Sequence, residues 1–521
     1  MSAITPQTEL RLIKCPIESD NRNQLTFSSA TAQYNYFNSL PHLTVDNFTY
    51  QRKDSVIRYP AHIDSILTYN YVMYQNENYS DKWFYAFITK MEYVNDNMTL
   101  ITIKTDVYQT WMFSMVWKKS FVEREHVNND TAGLHTIPEG LETGEFTCNS
   151  HTVDSTFDSV MTDLVYVISS AINLWLIDAS TNKYAPATPT YYNGIASGTQ
   201  YFKFADTTAL NNKLKDVAAR GQIESINGLF MAPTSLTTLR PNSTSEIAES
   251  TSPVSYTNTI SKQTTLNGYT PINKKLLTGE FNYLLVSNNN GNSVIFRYED
   301  FSQTNCTFKI DMCLTAGCSI RMIPTNYKNV TNGDEYGINL GKLPICSYPC
   351  DMYTNWLTQN SINVMGMQIT TDDINIGSSV LSLVNPYTAG VGLSGIANSL
   401  IAKKQHELIP PQSRGNLNAG DVVTASGKNT FHFYKMSIKQ EYAKAIDGYF
   451  SMYGYKVNSL KIPNLTGRTN WNYVKTIGAN IEGDIPEDHL NEIKTIFNNG
   501  VTLWHNSSTY LDYSQSNAIV S

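Results

Sequence analysis

From Trp83 to Tyr93 the side chains Trp83, Tyr85, Phe87, Met91 and Tyr93 fall on alternate positions, and from Met98 to Val107 the residues Ile101, Ile103 and Val107 do so again. A period of two puts such side chains on one face of a strand. Asn95-Asp96-Asn97 between the runs carries side chains that bond their own backbone at a reversal, so the stretch predicts a β-hairpin. About the first 145 residues read as strands in this way. Residues 150–350 continue with short β-like runs, Leu164–Ser170, Tyr283–Ser287, Ser293–Tyr298 and Cys318–Pro324, parted by turn-forming clusters such as Asn288–Asn292.

The period changes to three and four in three places. Asp206–Gly221 predicts a helix with Asp206 as cap, Leu210, Leu214 and Val217 inside, and Gly221 as the stop. Lys439–Tyr453 predicts a second, with Tyr442, Ala445, Ile446, Tyr449, Phe450 and Tyr453 as its stripe and Gly454 ending it. Asp484–Asn499 predicts a third, with Asp484 capping, Glu487 at the capping-box spacing, and Leu490, Ile493, Ile496 and Phe497 buried. These stripes read as core packing rather than binding faces. No internal repeat at a period of 20–50 residues stands out.

One stretch departs from both patterns. Between Asp373 and Lys403 about 29 residues carry no charge, and the apolar positions are Val380, Leu381, Leu383, Val384, Val391, Leu393, Ile396, Leu400 and Ile401. Roughly 20 apolar residues suffice to span a bilayer. However, Asn375, Asn385, Pro386 and Asn398, with Gly377, Gly390, Gly392 and Gly395, weaken a single-pass helix. Two readings stand: a loop that enters a membrane conditionally, and a buried strand-turn-helix of the core.

Composition sharpens the fold class. Charged residues make up 16% of the 521, against about 25% in an average globular chain, while 33 tyrosines lift the aromatic share to 12%. Tyrosine with abundant Asn, Thr and Ser is the chemistry of strands and turns, so a mainly β protein with a few helices is expected. So many aromatics exclude disorder for the bulk of the chain, and the absence of A/E/K/L/R richness excludes a coiled coil. A net charge of −7 speaks against a tight nucleic-acid binder but not against a surface that DNA slides past. The first residues, Met1-Ser2-Ala3-Ile4-Thr5-Pro6, show no basic run followed by an apolar one, so no secretory signal and a reducing site of folding are expected.

Candidate chemistry is sparse. His126, in Glu123-Arg124-Glu125-His126, has the nearest acidic neighbourhood, and a strand-end histidine paired to a carboxylate is favoured over a catalytic one. Cys306, Cys313, Cys318, Cys346 and Cys350 cluster without a C-x2-C knuckle, which favours buried thiols over zinc. Gly337-x3-Gly341-Lys342 has the wrong spacing for a phosphate loop, with Leu343 where a Ser or Thr would hold the metal. The sequence does not point to an enzyme, a metal or a cofactor.

Several runs resemble a family. They are Gln33-Tyr34-Asn35-Tyr36-Phe37-Asn38, Asp81-Lys82-Trp83-Phe84-Tyr85-Ala86-Phe87, Asp106-Val107-Tyr108-Gln109-Thr110-Trp111-Met112-Phe113 and Ser120-Phe121-Val122-Glu123-Arg124-Glu125-His126-Val127. Near the other end are Ile409-Pro410-Pro411-Gln412, Tyr453-Gly454-Tyr455-Lys456-Val457-Asn458, Pro463-Asn464-Leu465, Gly483-Asp484-Ile485 and the run from Ile493 to His505. In order and density these runs resemble the tail-knob (distal tail tube, lower collar-type) proteins of picovirus-type short-tailed phages of Gram-positive hosts.

The resemblance implies a β-barrel-like tube domain assembled as a homohexameric ring at the tip of the virion tail, after assembly in the host cytoplasm. It divides the chain into an N-terminal tube domain (1–150), an inserted β-rich middle domain (151–350), a segment (351–430) with a plug or membrane-active loop (374–402), and a C-terminal segment (431–521) packed on the tube. The implied partners are other copies of the chain, other tail and collar proteins, viral DNA passing non-specifically through the lumen, and the host membrane on ejection. The loop stands just ahead of Ile409-Pro410-Pro411-Gln412, as in that family, but is shorter and less glycine-rich. The alternative is a tail-associated glycan-binding protein or cell-wall glycan hydrolase on a β platform, since tyrosine faces also suit sugars.

Overall fold

The hairpin forms where the alternation places it: Trp83–Asn95 runs antiparallel to Met98–Thr105, and the Asn97 N–H donates to Asn95 Oδ1 at 2.9 Å in the turn. The computed structural model describes residues 8–46, 50–51, 55–76, 82–154, 164–188, 190–192, 195–197, 199–204, 206–236, 254–289, 291–312, 319–342, 345–346 and 430–520. The fold is mainly β. Its α-helices among these residues are α1 (Ala30–Ser39), α2 (Val107–Trp111), α3 (Thr207–Ala219), α4 (Gln440–Tyr453) and α5 (Glu487–Asn499).

Contacts divide the chain into two units. The first gathers Met1–Gly144, Pro271–Leu276 and Gln440–Ser521, and the second gathers Glu145–Thr270 and Leu277–Lys439. The strand Phe146–Val153, which crosses the expected boundary at 150, pairs in the second unit with His432–Ile438, expected in the last piece.

In the first unit a seven-stranded antiparallel sheet runs in the order His42–Asp46, Thr8–Ile13, Tyr71–Asn76, Trp83–Asn95, Met98–Thr105, Val56–Tyr59, Tyr50–Gln51. It is apolar on both faces. Leu10, Leu12, Val72, Ala86, Ile101 and Ile103 form one cluster, whereas Tyr71, Met73, Tyr85 and Phe87 join Phe37, Trp471 and Trp504 in another. The two tryptophans come from a five-stranded sheet ordered Asn23–Leu25, Val501–Trp504, Trp471–Ile477, Ser120–Glu125, Tyr455–Lys461. Its first pair is parallel, so strand residues from both ends of the chain lie side by side.

The second unit has three larger sheets. Ser255–Ser261, Asn305–Met312, Ser319–Tyr327 and Val330–Asn332 form one, with Ile338–Lys342 also beside Ser319–Tyr327. Phe146–Val153, His432–Ile438, Asn282–Ser287 and Ser293–Phe296 form the next, and Phe296, Phe308, Phe433, Leu284 and Ile310 fill the core of this part. In the last, Leu164–Ser170 lies between Gln200–Phe204 and Ile226–Pro233. Helix α3 buries Leu210, Leu214 and Val217 together with Phe202 and Phe204.

Three helical expectations meet three outcomes. Helix α3 is as predicted: Asp206 accepts from the Ala209 N–H at 2.7 Å, and Gly221 has φ +66°. Helix α4 buries Ile446 and Phe450 as expected but turns toward Ala443 and Asp447, leaving Tyr442 and Ala445 exposed. The reason is polar. The Asp447 carboxylate accepts from the N–H groups of Ile272 (2.8 Å) and Asn273 (3.0 Å), an anchor that a count of apolar spacings cannot see. Helix α5 starts at Glu487 after Pro486 with no side-chain cap, so the capping box at Asp484 does not form, while Ile493, Ile496 and Phe497 are buried as expected. Val107 opens α2 instead of extending the hairpin, because Asp106 caps there and accepts from the Gln109 N–H.

Candidate functional site

The apolar positions singled out as a membrane-active loop, Val380 to Ile401, lie outside the described residues, as do Cys313, Cys318 and Cys350. Cys306 is buried, and burial pushes its thiol up to about 12, as befits an inert core thiol. Among the described residues no helix is long and apolar enough to cross a membrane, and no three His, Cys, Asp or Glu side chains gather to hold a metal.

The densest chemistry lies in the first unit, where three distant pieces of chain meet. In the strand Ser120–Glu125 the register slips between Val122 and Arg124, which breaks the alternation and buries both Arg124 and Glu125. The Arg124 guanidinium donates to the Gly454 carbonyl at 2.7 Å and to Glu139 Oε2, and lies 4.9 Å from the Tyr449 ring centre. Glu139 also accepts from the Lys275 ammonium and from the Lys456 N–H at 2.9 Å. The side chains of Glu139 and Lys275 are wholly buried. Lys275 lies between the rings of Tyr455 (5.4 Å) and Phe450 (5.9 Å). Around this triad Tyr455 OH donates to Asp130 at 2.6 Å, and the other Asp130 oxygen accepts from the Lys274 N–H at 3.0 Å.

Gly454 lets the pieces approach. Its φ is +63°, and a Cβ there would stand 2.2 Å from the Glu125 carbonyl oxygen. The glycine that ends α4 is thus also the contact point for Arg124.

His126 differs from its expected role. Its Nδ1 accepts from the Tyr473 N–H at 2.8 Å and its Nε2 lies 3.1 Å from the Ser451 carbonyl, so both partners are backbone and neither is a carboxylate. Burial first, then Arg468, drives its pKa down to about 3. His505 is held neutral in the same way, down to about 4, by burial. Asp106 moves the other way, up to about 6, because burial outweighs the hydrogen bonds it accepts from the Gln109 N–H and the Tyr71 hydroxyl.

Open clefts in this unit also hold carboxylates among the described residues. One, lined by Glu125, Asn128, His135, Lys456 and Lys461, holds a single carboxylate, and Glu125 is already bonded to Lys461 and to the Asn464 N–H. The other holds Asp20 and Glu492, each with a cationic partner, Arg22 and Lys104. Glycoside hydrolysis uses two facing carboxyl groups, and among the described residues the first cleft holds one.

The outer face of the five-stranded sheet is different in kind. Phe121 stands directly opposite Leu460 on one neighbouring strand and Ile477 on the other, and the three are 37%, 68% and 59% exposed. Ile462, just beyond the strand Tyr455–Lys461, is exposed as well. Glu123 and Lys475 pair next to the row at 2.9 Å. Among the described residues Tyr455–Lys461 is an edge strand, so the apolar row ends at an unpaired ladder. Sequence reading missed both the row and the triad. The row appears only once register is known, and the triad joins Arg124 and Glu139 to Lys275, 136 positions beyond Glu139.

A family model described as Bacillus phage phi29 tail knob protein gp9, C-terminal domain, matches residues 235–518, and one described as the caudoviral major tail protein N-terminus matches residues 6–118. Tail knob protein gp9 of Bacillus phage PZA is 26% identical over 581 residues, covering 96% of each chain, and that of Bacillus phage B103 is 25% identical over 598 residues, covering 98% of each. In fold, the chain is similar to the solved tail knob protein gp12 of bacteriophage C1, with a TM-score of 0.58 at 16% identity over 98% of this chain and 100% of that one.

Proposed function

The chain belongs to the family of the phi29 tail knob protein gp9 C-terminal domain, and from that premise we propose that it is a structural tail knob protein of a short-tailed phage virion. Six copies would form a ring at the distal end of the tail, with the first unit's sheets building the wall and genomic DNA leaving through the lumen. Residues 374–402 would plug the exit and enter the host membrane during ejection; a charge-free stretch avoids the ~2.5–3.5 kcal/mol that each midplane charge costs. Assembly would take place in the host cytoplasm, beside other tail proteins.

The observation that carries the reading is the end-to-end match to tail knob proteins, covering 96% or more of this chain and of each relative. Two features support it. The row Phe121, Leu460 and Ile477, beside an edge unpaired among the described residues, is a surface of the kind a neighbouring copy would cover, and a net charge of −7 leaves DNA little to grip. The test is the mass of the purified protein: particles near six times 58.5 kDa, seen as rings by negative stain, are expected, and Leu460→Asp with Ile477→Asp should reduce them to monomers. A wild-type protein that stays monomeric at micromolar concentration, with no ring in virions, would overturn the assembly. For the loop, deletion of residues 374–402 should abolish dye release from liposomes; equal release by intact and deleted protein would overturn its membrane role.

A further inference from the structure

The strand Phe146–Val153 is the outer strand of its sheet, and among the described residues it pairs only with His432–Ile438. Its sequence carries no charge, and every side chain from Cys148 to Val153 is exposed. Side-chain contacts add to its ladder near the start, where Asn149 Nδ2 donates to the Ser437 hydroxyl at 2.8 Å and the Phe146 ring lies 5.1 Å from that of Tyr283. Toward the other end a histidine pair does so. His151 lies opposite Tyr434 and hence diagonal to His432. The Nε2 of His151 is 2.8 Å from the Nδ1 of His432, with ring planes 11° apart and ring centres 5.1 Å apart. The Tyr434 ring stacks on His151 at 4.5 Å, and its hydroxyl donates to Asn289.

These distances settle how the imidazoles meet. A centre separation of 5.1 Å is about the largest that two rings joined by that nitrogen spacing can have, so they meet end-on in one plane. The lone pair of one nitrogen points down the N–H of the other. Two imidazoles on one metal ion would instead direct both lone pairs at a shared point to the side, and the end-on meeting leaves no room for it.

We propose that His151 and His432 are a two-imidazole proton switch that clamps this edge strand. With no proton or one proton added, an N–H···N bond joins the strands, charge-assisted in the second case. A second proton leaves two N–H donors facing each other and two like charges in contact, and the clamp opens. The surroundings do not relieve that repulsion. Asn282–Ser287, on the far side of His432–Ile438, places Ser287 opposite His432 and carries no charge. Lys435 turns to the Ser261 hydroxyl, the Asp154 carboxylate accepts from the Tyr256 hydroxyl, and Glu145 pairs with Lys439 at the other end of the strand. Burial and the neighbouring His151 both hold the His432 pKa below its ordinary value, which keeps the bonded form at neutral pH. Under the tail-knob reading the switch would lie on the C-terminal side of the 374–402 segment in sequence. The switch itself does not depend on that reading.

Amide hydrogen exchange of the full chain, read by mass spectrometry and corrected for the chemical pH effect, tests it. From about pH 7 to about pH 5 the protection of Phe146–Val153 should fall about tenfold more than that of Asn282–Ser287. In His151→Asn and His432→Asn the strand should be less protected at both pH values, with the pH dependence gone. Equal changes in the two strands of the wild type, or an unchanged pH dependence in the variants, would overturn the proposal. Histidine-selective NMR on the wild type gives a second reading: two coupled titration steps for this pair are expected, and two independent single steps would overturn the switch.

Discussion

The two units solve the same problem with different interactions. At the centre of the second unit, Phe296, Phe308, Phe433 and their aliphatic neighbours pack as an apolar cluster, with the buried Asp154 bonded to Tyr256 at its edge. The centre of the first unit includes two cations and one anion, Arg124, Lys275 and Glu139, and the cation in excess faces aromatic rings. Apolar packing is tolerant of which side chain fills a space, whereas a buried carboxylate accepts only the donors that satisfy it. The first unit must bring together three pieces of chain, including the six-residue return Pro271–Leu276, and a charged junction selects those pieces over others. This contrast predicts different failures.

The largest effect should come from Glu139→Ala, which strands two buried cations: about 5 kcal/mol lost in denaturant unfolding of the first unit, with the second unit's transition unmoved. Replacing Arg124, Glu139 and Lys275 together by apolar residues should cost less than that single change; if it costs more, the triad contributes stability and the contrast fails. Next is Phe497→Ala, at about 3–5 kcal/mol, because the ring is fully buried against Tyr108 and Trp117. Phe308→Ala should cost about the same in the second unit, so only the charged junction separates the two.

Acid should act more gently. His126 and His505 are neutral in the fold at pH values where the unfolded chain protonates them, so the unfolded state binds more protons and stability falls as pH drops below about 6.5. The loss continues toward about 4 for His505 and about 3 for His126. Asp106 opposes it, since its raised pKa makes the fold take up a proton as pH falls through about 6. The net loss for the first unit by pH 5 should be about 2 kcal/mol, and His126→Gln should flatten the profile. The smallest effect, under about 1 kcal/mol, is expected for Lys475→Ala, whose pair with Glu123 is partly open to solvent.

What the sequence disclosed follows from range. Helix α3 and the hairpin were legible because their cap, stripe and turn lie within a few residues of one another. The face of α4 was not, because Asp447 is fixed by Ile272 and Asn273. Helix α1 was missed, since only Gln33 and Phe37 are buried and its Ser29 cap has no acidic partner in the first turn. Several of the runs that carried the family resemblance prove to be neighbours in space. Gln33 bonds Gln109, Tyr108 lies against Phe497, and Arg124 bonds Gly454. Their meaning was contact, which order along the chain does not display.

The parallel pairing of Asn23–Leu25 with Thr502–Trp504 has a consequence for the ribosome. At roughly 5–20 residues per second, the strand near the start of the chain is made about half a minute to a minute and a half before its partner emerges. Throughout that interval the Phe37, Tyr71 and Tyr85 surface waits for Trp471 and Trp504, uncovered by the sheet that will enclose it. The first unit therefore cannot close as a nascent domain in the usual N-to-C order. It closes last, after the second unit's residues have been made, and a growing chain stalled before Trp471 should be a far better chaperone client than the finished protein.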